Sequence, residues 1–92
     1  MMFEYDKNKS HSNLIKHGID FEHAQKLWND YYLIEISINI IGDENRILCV
    51  AKYQDKHWTA VILKKKMSIR IISVRSARKK EVDLYEYYRR RV

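Results

Sequence analysis

The hydrophobic pattern of this chain changes period at Asn29-Asp30, and that switch limits what the sequence can fold into. Before it, Phe21, Ala24, Leu27 and Trp28 recur at offsets of three, six and seven, which lines one side of a helix. After it, Tyr31–Ile38, Arg46–Tyr53, His57–Lys64 and Ser68–Arg75 are rich in β-branched and aromatic residues, the composition of strands. No proline and only two glycines, Gly18 and Gly42, interrupt the 92 residues. Nothing divides the chain, so a single domain over residues 1–92 is predicted.

Local signals place the elements. Phe3-Glu4-Tyr5 reads as a short strand or an extended lead-in. Asp6 is suited to cap a helix over Lys7–His17, and Gly18 to stop it in the left-handed conformation that glycine adopts cheaply. Asp20 caps a second helix, so the N-terminus is expected to form a helical hairpin. Gly42-Asp43-Glu44-Asn45 reads as a turn, Gln54-Asp55-Lys56 as a tight loop and Lys65-Lys66-Met67 as a short join. Loops this short favour antiparallel neighbours, so the spacing predicts a four-stranded antiparallel meander. A final helix over Arg78–Arg90 presents Val82, Tyr85 and Tyr88, with Leu84 beside them, and Ser76 is the best available cap. The expected fold is α+β, with the helices packed on one face of the sheet.

The net charge of +6 conceals an asymmetry. Residues 1–45 carry eight acids and four lysines, a net −4, whereas residues 46–92 carry four acids and fourteen cations, a net +10. Such a split is either a solvated surface or a basic end that meets nucleic acid or an acidic partner. Cys49 is the single cysteine, so no intrachain disulfide is possible, and its setting in Ile47-Leu48-Cys49-Val50-Ala51 is that of a small buried hydrophobe. No apolar run approaches the ~20 residues of a membrane span. Met1–Asp6 has no signal-peptide character, and a cytoplasmic protein with no membrane contact is expected.

The strand Ser68–Arg75 alternates cations with β-branched residues and leads into Arg78, Lys79 and Lys80. Guanidinium groups on a rigid strand suit phosphate, because they stay charged and bind two oxygens at once. The alternative is a set of edge-strand charges that discourage aggregation. Parity puts Arg70 with Ile72 and Val74, and Arg75 with Ile69, Ile71 and Ser73. The two arginines share a face only if the strand ends or bulges before Arg75. If the ligand is RNA, the 2′-hydroxyl beside each phosphate is a built-in nucleophile. The protein then has only to orient it, move a proton and stabilise charge on the phosphate oxygens. Proton carriers are sought among His11, His17, His23, His57, Glu81, the tyrosines and the lysines. No set of carboxylates and histidines has metal-ligand spacing, so no metal or other cofactor is predicted. Each histidine on its own reads as structural or solvent-facing.

Two motifs bracket most of the chain. Phe3-Glu4-Tyr5-Asp6, Lys9, Asn13-Leu14, Lys16-His17-Gly18-Ile19-Asp20-Phe21, Ala24 and Asp30 resemble the N-terminal pattern of the BrnT toxins. The run from Arg70 to Arg75, followed by Ala77, Glu81 and Tyr85, is similar to the same family's second motif. One departure is Arg78, where the family carries a hydroxyl residue able to cap a helix. The resemblance implies the toxin of a bacterial type II toxin–antitoxin pair with a RelE-like fold and ribonuclease activity. It also implies a BrnA-like antitoxin that neutralises the toxin and supplies the contact with promoter DNA.

Taken together, these readings lead to a metal-independent endoribonuclease acting through the 2′-hydroxyl of its RNA substrate. The rival reading is a non-catalytic module that binds RNA or an antitoxin. Arg70 and Arg75 are expected to bind the scissile phosphate, with Glu81 or Tyr85 moving protons or orienting an arginine. Arg46, Lys16, Arg78, Lys79 and Lys80 are expected to contact RNA.

Overall fold

The structure, a computed structural model, describes residues 1–38 and 46–91. The elements in chain order are β1 (Met2–Glu4), α1 (Lys7–His17), α2 (Phe21–Ala24), a 3-10 segment (Gln25–Asn29), β2 (Ile34–Ile38), β3 (Arg46–Tyr53), β4 (Lys56–Lys64), β5 (Ser68–Ser76) and α3 (Lys79–Arg89). The turn expected at Gly42–Asn45 lies outside the described residues.

The local signals act as their chemistry requires. Asp6 Oδ1 accepts from the Asn8 and Lys9 N–H groups at 2.8 and 3.1 Å, capping α1. Gly18 ends it with φ +83° and a bond from its N–H to the Leu14 carbonyl. Asp20 caps α2 through the His23 N–H. The β3–β4 hairpin turns on Gln54 and Asp55, both with positive φ, the backbone form whose twist matches a two-residue hairpin.

Three expectations about architecture are overturned. The sheet has five strands in the order β1-β5-β4-β3-β2, and it is mixed, because β1 runs parallel to β5 with Met2 opposite Ser68 and Glu4 opposite Arg70. A four-stranded antiparallel meander is therefore wrong. Loop lengths report only sequential neighbours, and β1 pairs with a strand more than sixty residues away. The N-terminus is not a hairpin of two regular helices either. After four residues α2 tightens into the 3-10 segment, and Phe21, Ala24 and Leu27, spaced by three, are all buried along it. A spacing of three suits three residues per turn, so the apolar stripe survives the change of helix.

The helices also do not share one face. Ile19, Phe21, Ala24 and Leu27 pack with Cys49, Ala51, Trp58, Ala60, Ile62, Ile69, Ile71 and Val74 as the core. The opposite face carries Thr59, whose hydroxyl meets Glu81 of α3. Thr59 and Ala60 are adjacent in β4, so their side chains leave opposite sides of the sheet, and α3 lies across from α1 and α2. Smaller corrections concern ends. Tyr31 and Tyr32 form a turn fastened by Asp30 rather than the start of β2, with the Tyr32 N–H on Asp30 Oδ1 at 2.9 Å. Ser76 is the last residue of β5 and not a helix cap. The N-cap of α3 is Arg78, whose N–H donates to Glu81 at 2.7 Å. The guanidinium has no acceptor atom, so this is only one half of a capping box.

Candidate nucleic-acid interface

The position of the arginines is decided by one extra residue in β5. In the β4–β5 ladder Ile62 pairs with Ile71 and Val61 with Ser73, which leaves Ile72 without a counterpart. This β-bulge inverts the alternation of the strand. Ile69, Ile71 and Val74 all point into the core, and Arg70, Ser73 and Arg75 all leave by the other face. That face is ordered in rows across β2, β3, β4 and β5. Ile38, Arg46, Leu63 and Arg70 form one row, Ile36, Leu48, Val61 and Ser73 the next, and Ile34, Val50, Thr59 and Arg75 the third. Thr59 and Leu63 are four residues apart, so the arginine Cα positions are ~13 Å apart along the strand at ~3.3 Å per residue.

Each arginine stands beside a carboxylate. Arg75 Nη1 and Nη2 reach the two oxygens of Glu81 at 2.8 and 2.9 Å, and Nη1 also reaches the Ser76 carbonyl at 3.3 Å. Glu81 further accepts from Thr59 Oγ1 at 2.8 Å and from the Arg78 N–H. The Arg75 guanidinium is the main reason that the Glu81 carboxyl is held down to about 2, against the opposing effect of its burial. Glu81 in turn raises Arg75 further above its usual range. Arg70 Nη1 lies 3.8 Å from Glu4 Oε1, and Glu4 is held by Lys65 Nζ at 2.8 Å and Ser68 Oγ at 2.9 Å. Two guanidinium groups thus stand on one sheet face, Arg75 fixed at two points by Glu81 and Arg70 loosely paired with Glu4.

The remaining expected residues divide by location. Arg46 shares the outer row with Arg70, two strands away. Arg78, Lys79 and Lys80 are exposed where α3 begins, and Lys79 pairs with Asp83 at 2.9 Å. Lys16 is on α1, where it borders a shallow depression with Lys9, His17, Ile72 and Ser73 along the outer edge of β5. Tyr85 lies inside the fold. It is 1% exposed, its hydroxyl donates to Asp30 Oδ2 at 2.6 Å, and burial followed by Asp30 pushes its pKa up. Of the histidines, His57 is on the arginine face, with Nε2 2.8 Å from Glu86 Oε2 and its ring edge-on to Tyr85. Among the described residues no group of three His, Cys, Asp or Glu side chains comes together as a metal site.

Two partners were not singled out from the sequence. Thr59 is a fully buried hydroxyl in β4 between Trp58 and Ala60, and the acceptor that a buried hydroxyl needs is Glu81 of α3, a pairing no local sequence pattern shows. Asn13 matched a motif without a role. Its amide nitrogen donates to the Ile19 and Val74 carbonyls at 2.7 and 2.9 Å, and its oxygen accepts from the Val74 N–H at 3.2 Å. β1 pairs β5 only as far as Arg70, so Asn13 takes the place of a neighbouring strand at the bulged edge.

The family model of BrnT, the ribonuclease toxin of type II toxin–antitoxin systems, matches residues 5–81. The chain belongs to this family. Comparison with curated proteins gives no match. Membership in the BrnT family brings with it a ribonuclease toxin's role and an antitoxin as partner. The matched span runs from Tyr5 to Glu81, so it takes in most of both motifs, the strands β2 to β5 that carry Arg70 and Arg75, and Glu81, while β1 with Glu4 and the part of α3 with Tyr85 lie beyond it. Among the described residues no helix is long and apolar enough to cross a membrane.

Proposed function

We propose that this BrnT-family chain is a metal-independent endoribonuclease of the cytoplasm that cleaves RNA through the 2′-hydroxyl and is neutralised by a BrnA-like antitoxin. The observation that carries the reading is the bulge at Ile72, which brings Arg70 and Arg75 to one face. In this reading Arg75 binds the scissile phosphate and Arg70 grips the RNA backbone beside it. Arg46 and the cations at the start of α3 extend the contact, with Lys16 at the edge. The 2′-oxygen attacks the adjacent phosphorus, the bond to the 5′-oxygen breaks, and a 2′,3′-cyclic phosphate and a 5′-hydroxyl result. The proton leaves the 2′-hydroxyl and one reaches the departing 5′-oxygen. Arg75 stabilises the charge that grows on the phosphate oxygens.

Glu81 acts here as a positioning residue. A carboxyl held near 2 is too weak a base to take the proton, but its two oxygens fix the plane of the guanidinium. The buried Tyr85 hydroxyl is committed to Asp30, so Tyr85 is assigned to packing. His57, the histidine on this face, is the residue to test for the proton steps. Promoter DNA is reached only through the antitoxin complex.

The test is cleavage of an end-labelled structured RNA by purified protein in the presence of EDTA. Cyclic or 3′-phosphate ends, lost in Arg70→Ala and Arg75→Ala, are the expected result. A second reading, a module that binds RNA or antitoxin without cutting, draws on the commitment of both Glu81 and Tyr85 to other partners. Intact RNA together with normal growth on expression would favour that module. Intact RNA with growth arrest would indicate a ribosome-dependent toxin.

A further inference from the structure

We propose a second RNA contact at the C-terminal end of α3, away from the arginine face, that takes one unpaired nucleotide. Its base enters the hollow lined by Tyr31 and Tyr88, and its phosphate lies among Lys26, Lys52 and Arg89. The proposal rests on the ribonuclease reading for its ligand and deepens it, by naming single-stranded RNA as the substrate class.

Four tyrosines stand out of the fold at this corner. Tyr31 and Tyr32 form the turn before β2, and Tyr87 and Tyr88 follow the buried Tyr85 on the outer side of α3. Tyr31 is 83% and Tyr88 51% exposed, so two large rings are left to solvent where burial would stabilise the fold. Within each pair the rings meet edge to face, with centroids 5.3 Å apart. The Arg89 and Arg91 guanidinium groups lie over Tyr32 and Tyr87 at 5.5 and 4.4 Å. Tyr31, Tyr32, Leu33, Ile34, Tyr88 and Arg89 line an open hollow of about 310 Å³. The turn is held in place from below, because Asp30 accepts from the Tyr32 and Lys52 N–H groups and from the Tyr85 hydroxyl. The rings are thereby presented in advance of any ligand.

Arg89 also borders a second hollow, of about 390 Å³, together with Lys26 and Lys52. Among the described residues neither lysine has an ion pair. The two carboxylates nearby are already engaged, Asp30 by its three donors and Glu86 by His57 at 2.8 Å. The bond from Arg89 to Glu86 is long, at 3.4 Å, and the arginine is 46% exposed, so a phosphate can displace it at little cost. Three cations around one depression suit a phosphate group.

The aromatic hollow and the cationic hollow meet at Arg89, side by side as the base and the phosphate of a nucleotide are. Bases in a duplex are already stacked and cannot enter, so the corner selects single strands. Glu81 and Tyr88 are separated along α3 by ~10 Å at ~1.5 Å per residue, so a short strand can span from here to Arg75. A second copy of the chain is a poor occupant. A two-fold interface at this corner would set Arg89, Arg90 and Arg91 against the same cluster of the other copy.

The experiment titrates the purified chain into a short fluorescein-labelled single-stranded RNA, 2′-O-methylated so that it cannot be cut, and reads anisotropy. A duplex of the same sequence and the mononucleotide UMP are the comparison probes, and each variant is melted. Tyr31→Ala and Tyr88→Ala should each weaken single-strand binding by ~10-fold, the scale of one lost base–aromatic stack. Tyr31→Phe keeps the ring and should bind like the wild type. Lys26→Ala should lower the slope of log affinity against log salt by ~0.7, and the tyrosine variants should leave that slope unchanged. Wild-type affinity in both tyrosine-to-alanine variants would overturn the proposal, as would an unchanged slope in Lys26→Ala. Equal losses on the duplex, or tighter binding of UMP than of the RNA, would also overturn it. A loss of antitoxin affinity with RNA binding unchanged would overturn it in favour of a protein interface. Where an alanine variant of a tyrosine melts early, the Lys26→Ala slope decides. A wild type that binds through Tyr31 and Tyr88 but leaves unmodified RNA intact would refute the ribonuclease reading alone. A wild type that cuts RNA while its tyrosine variants bind normally would refute only this contact.

Discussion

Glu81 holds Arg75 by both terminal nitrogens at 2.8 and 2.9 Å, and is itself fixed by the Thr59 hydroxyl and the Arg78 N–H. The partners' side chains are 21% and 11% exposed, so solvent screens the pair only in part. Its carboxyl is held at about 2, mainly by Arg75, against an ordinary value of 4.5. A depressed carboxyl contributes stability that is complete above the unfolded value and is lost as pH falls through the folded one. The contribution has an upper bound of ~3 kcal/mol. Urea midpoints of the wild type should therefore fall steeply from pH 4.5 towards pH 2. Glu81→Gln should lose ~2 kcal/mol at neutral pH and show a flatter profile across that window. An equally steep fall in the variant would place the acid sensitivity elsewhere.

The two arginines should respond differently to truncation. Arg70 and Glu4 are 3.8 Å apart and each more than a third exposed, a pair worth little to stability. Arg70→Ala should lower RNA cleavage by ~100-fold while the melting temperature stays near the wild-type value. Arg75→Ala strands a largely buried carboxylate and should cost both cleavage and stability. Arg75→Lys restores the charge without the two-point grip, so it should recover stability more than cleavage. Cleavage restored to wild-type level by lysine would mean that charge alone, and not the geometry of the guanidinium, serves the reaction.

What the sequence made legible were the parts governed by neighbours in the chain. Asp6, Gly18 and Asp20 act through backbone groups two to four residues away, and α1 runs from Lys7 to His17 as expected. The arginine face is different. Parity alone separated Arg70 from Arg75, and only the bulge at Ile72 reunites them; a bulge is set by pairing across strands, which no local pattern records. The same holds for β1, whose three residues carry no periodicity of their own and find β5 only in the folded chain. The side on which α3 lies was fixed by Thr59 and Glu81, a pair 22 residues apart.

Asn13 tests how much of the bulged edge depends on one side chain. It serves Val74 N–H, the Val74 carbonyl and the Ile19 carbonyl, while itself 6% exposed. Asn13→Ala leaves three buried backbone groups without partners and should destabilise the protein by ~3 kcal/mol in urea unfolding. Asn13→Asp should also destabilise, because a carboxylate cannot donate to the two carbonyls. A loss below ~1 kcal/mol in Asn13→Ala would mean that water enters and satisfies the edge.

Tyr85 separates a packing role from a chemical one. Its ring is 1% exposed, and its hydroxyl closes a link from α3 to Asp30, which also accepts from the backbone N–H groups of Tyr32 and Lys52. Asp30 thereby ties the 3-10 segment, β3 and α3 together. Tyr85→Phe keeps the ring and removes one hydrogen bond to a charged group, so it should cost ~1–3 kcal/mol in stability. With the sheet face untouched, kcat for RNA cleavage measured well below the variant's melting temperature should stay within about threefold of the wild type. A drop of ~100-fold or more, the scale of a lost acid–base group, in a variant that is still folded would return the hydroxyl to the reaction itself.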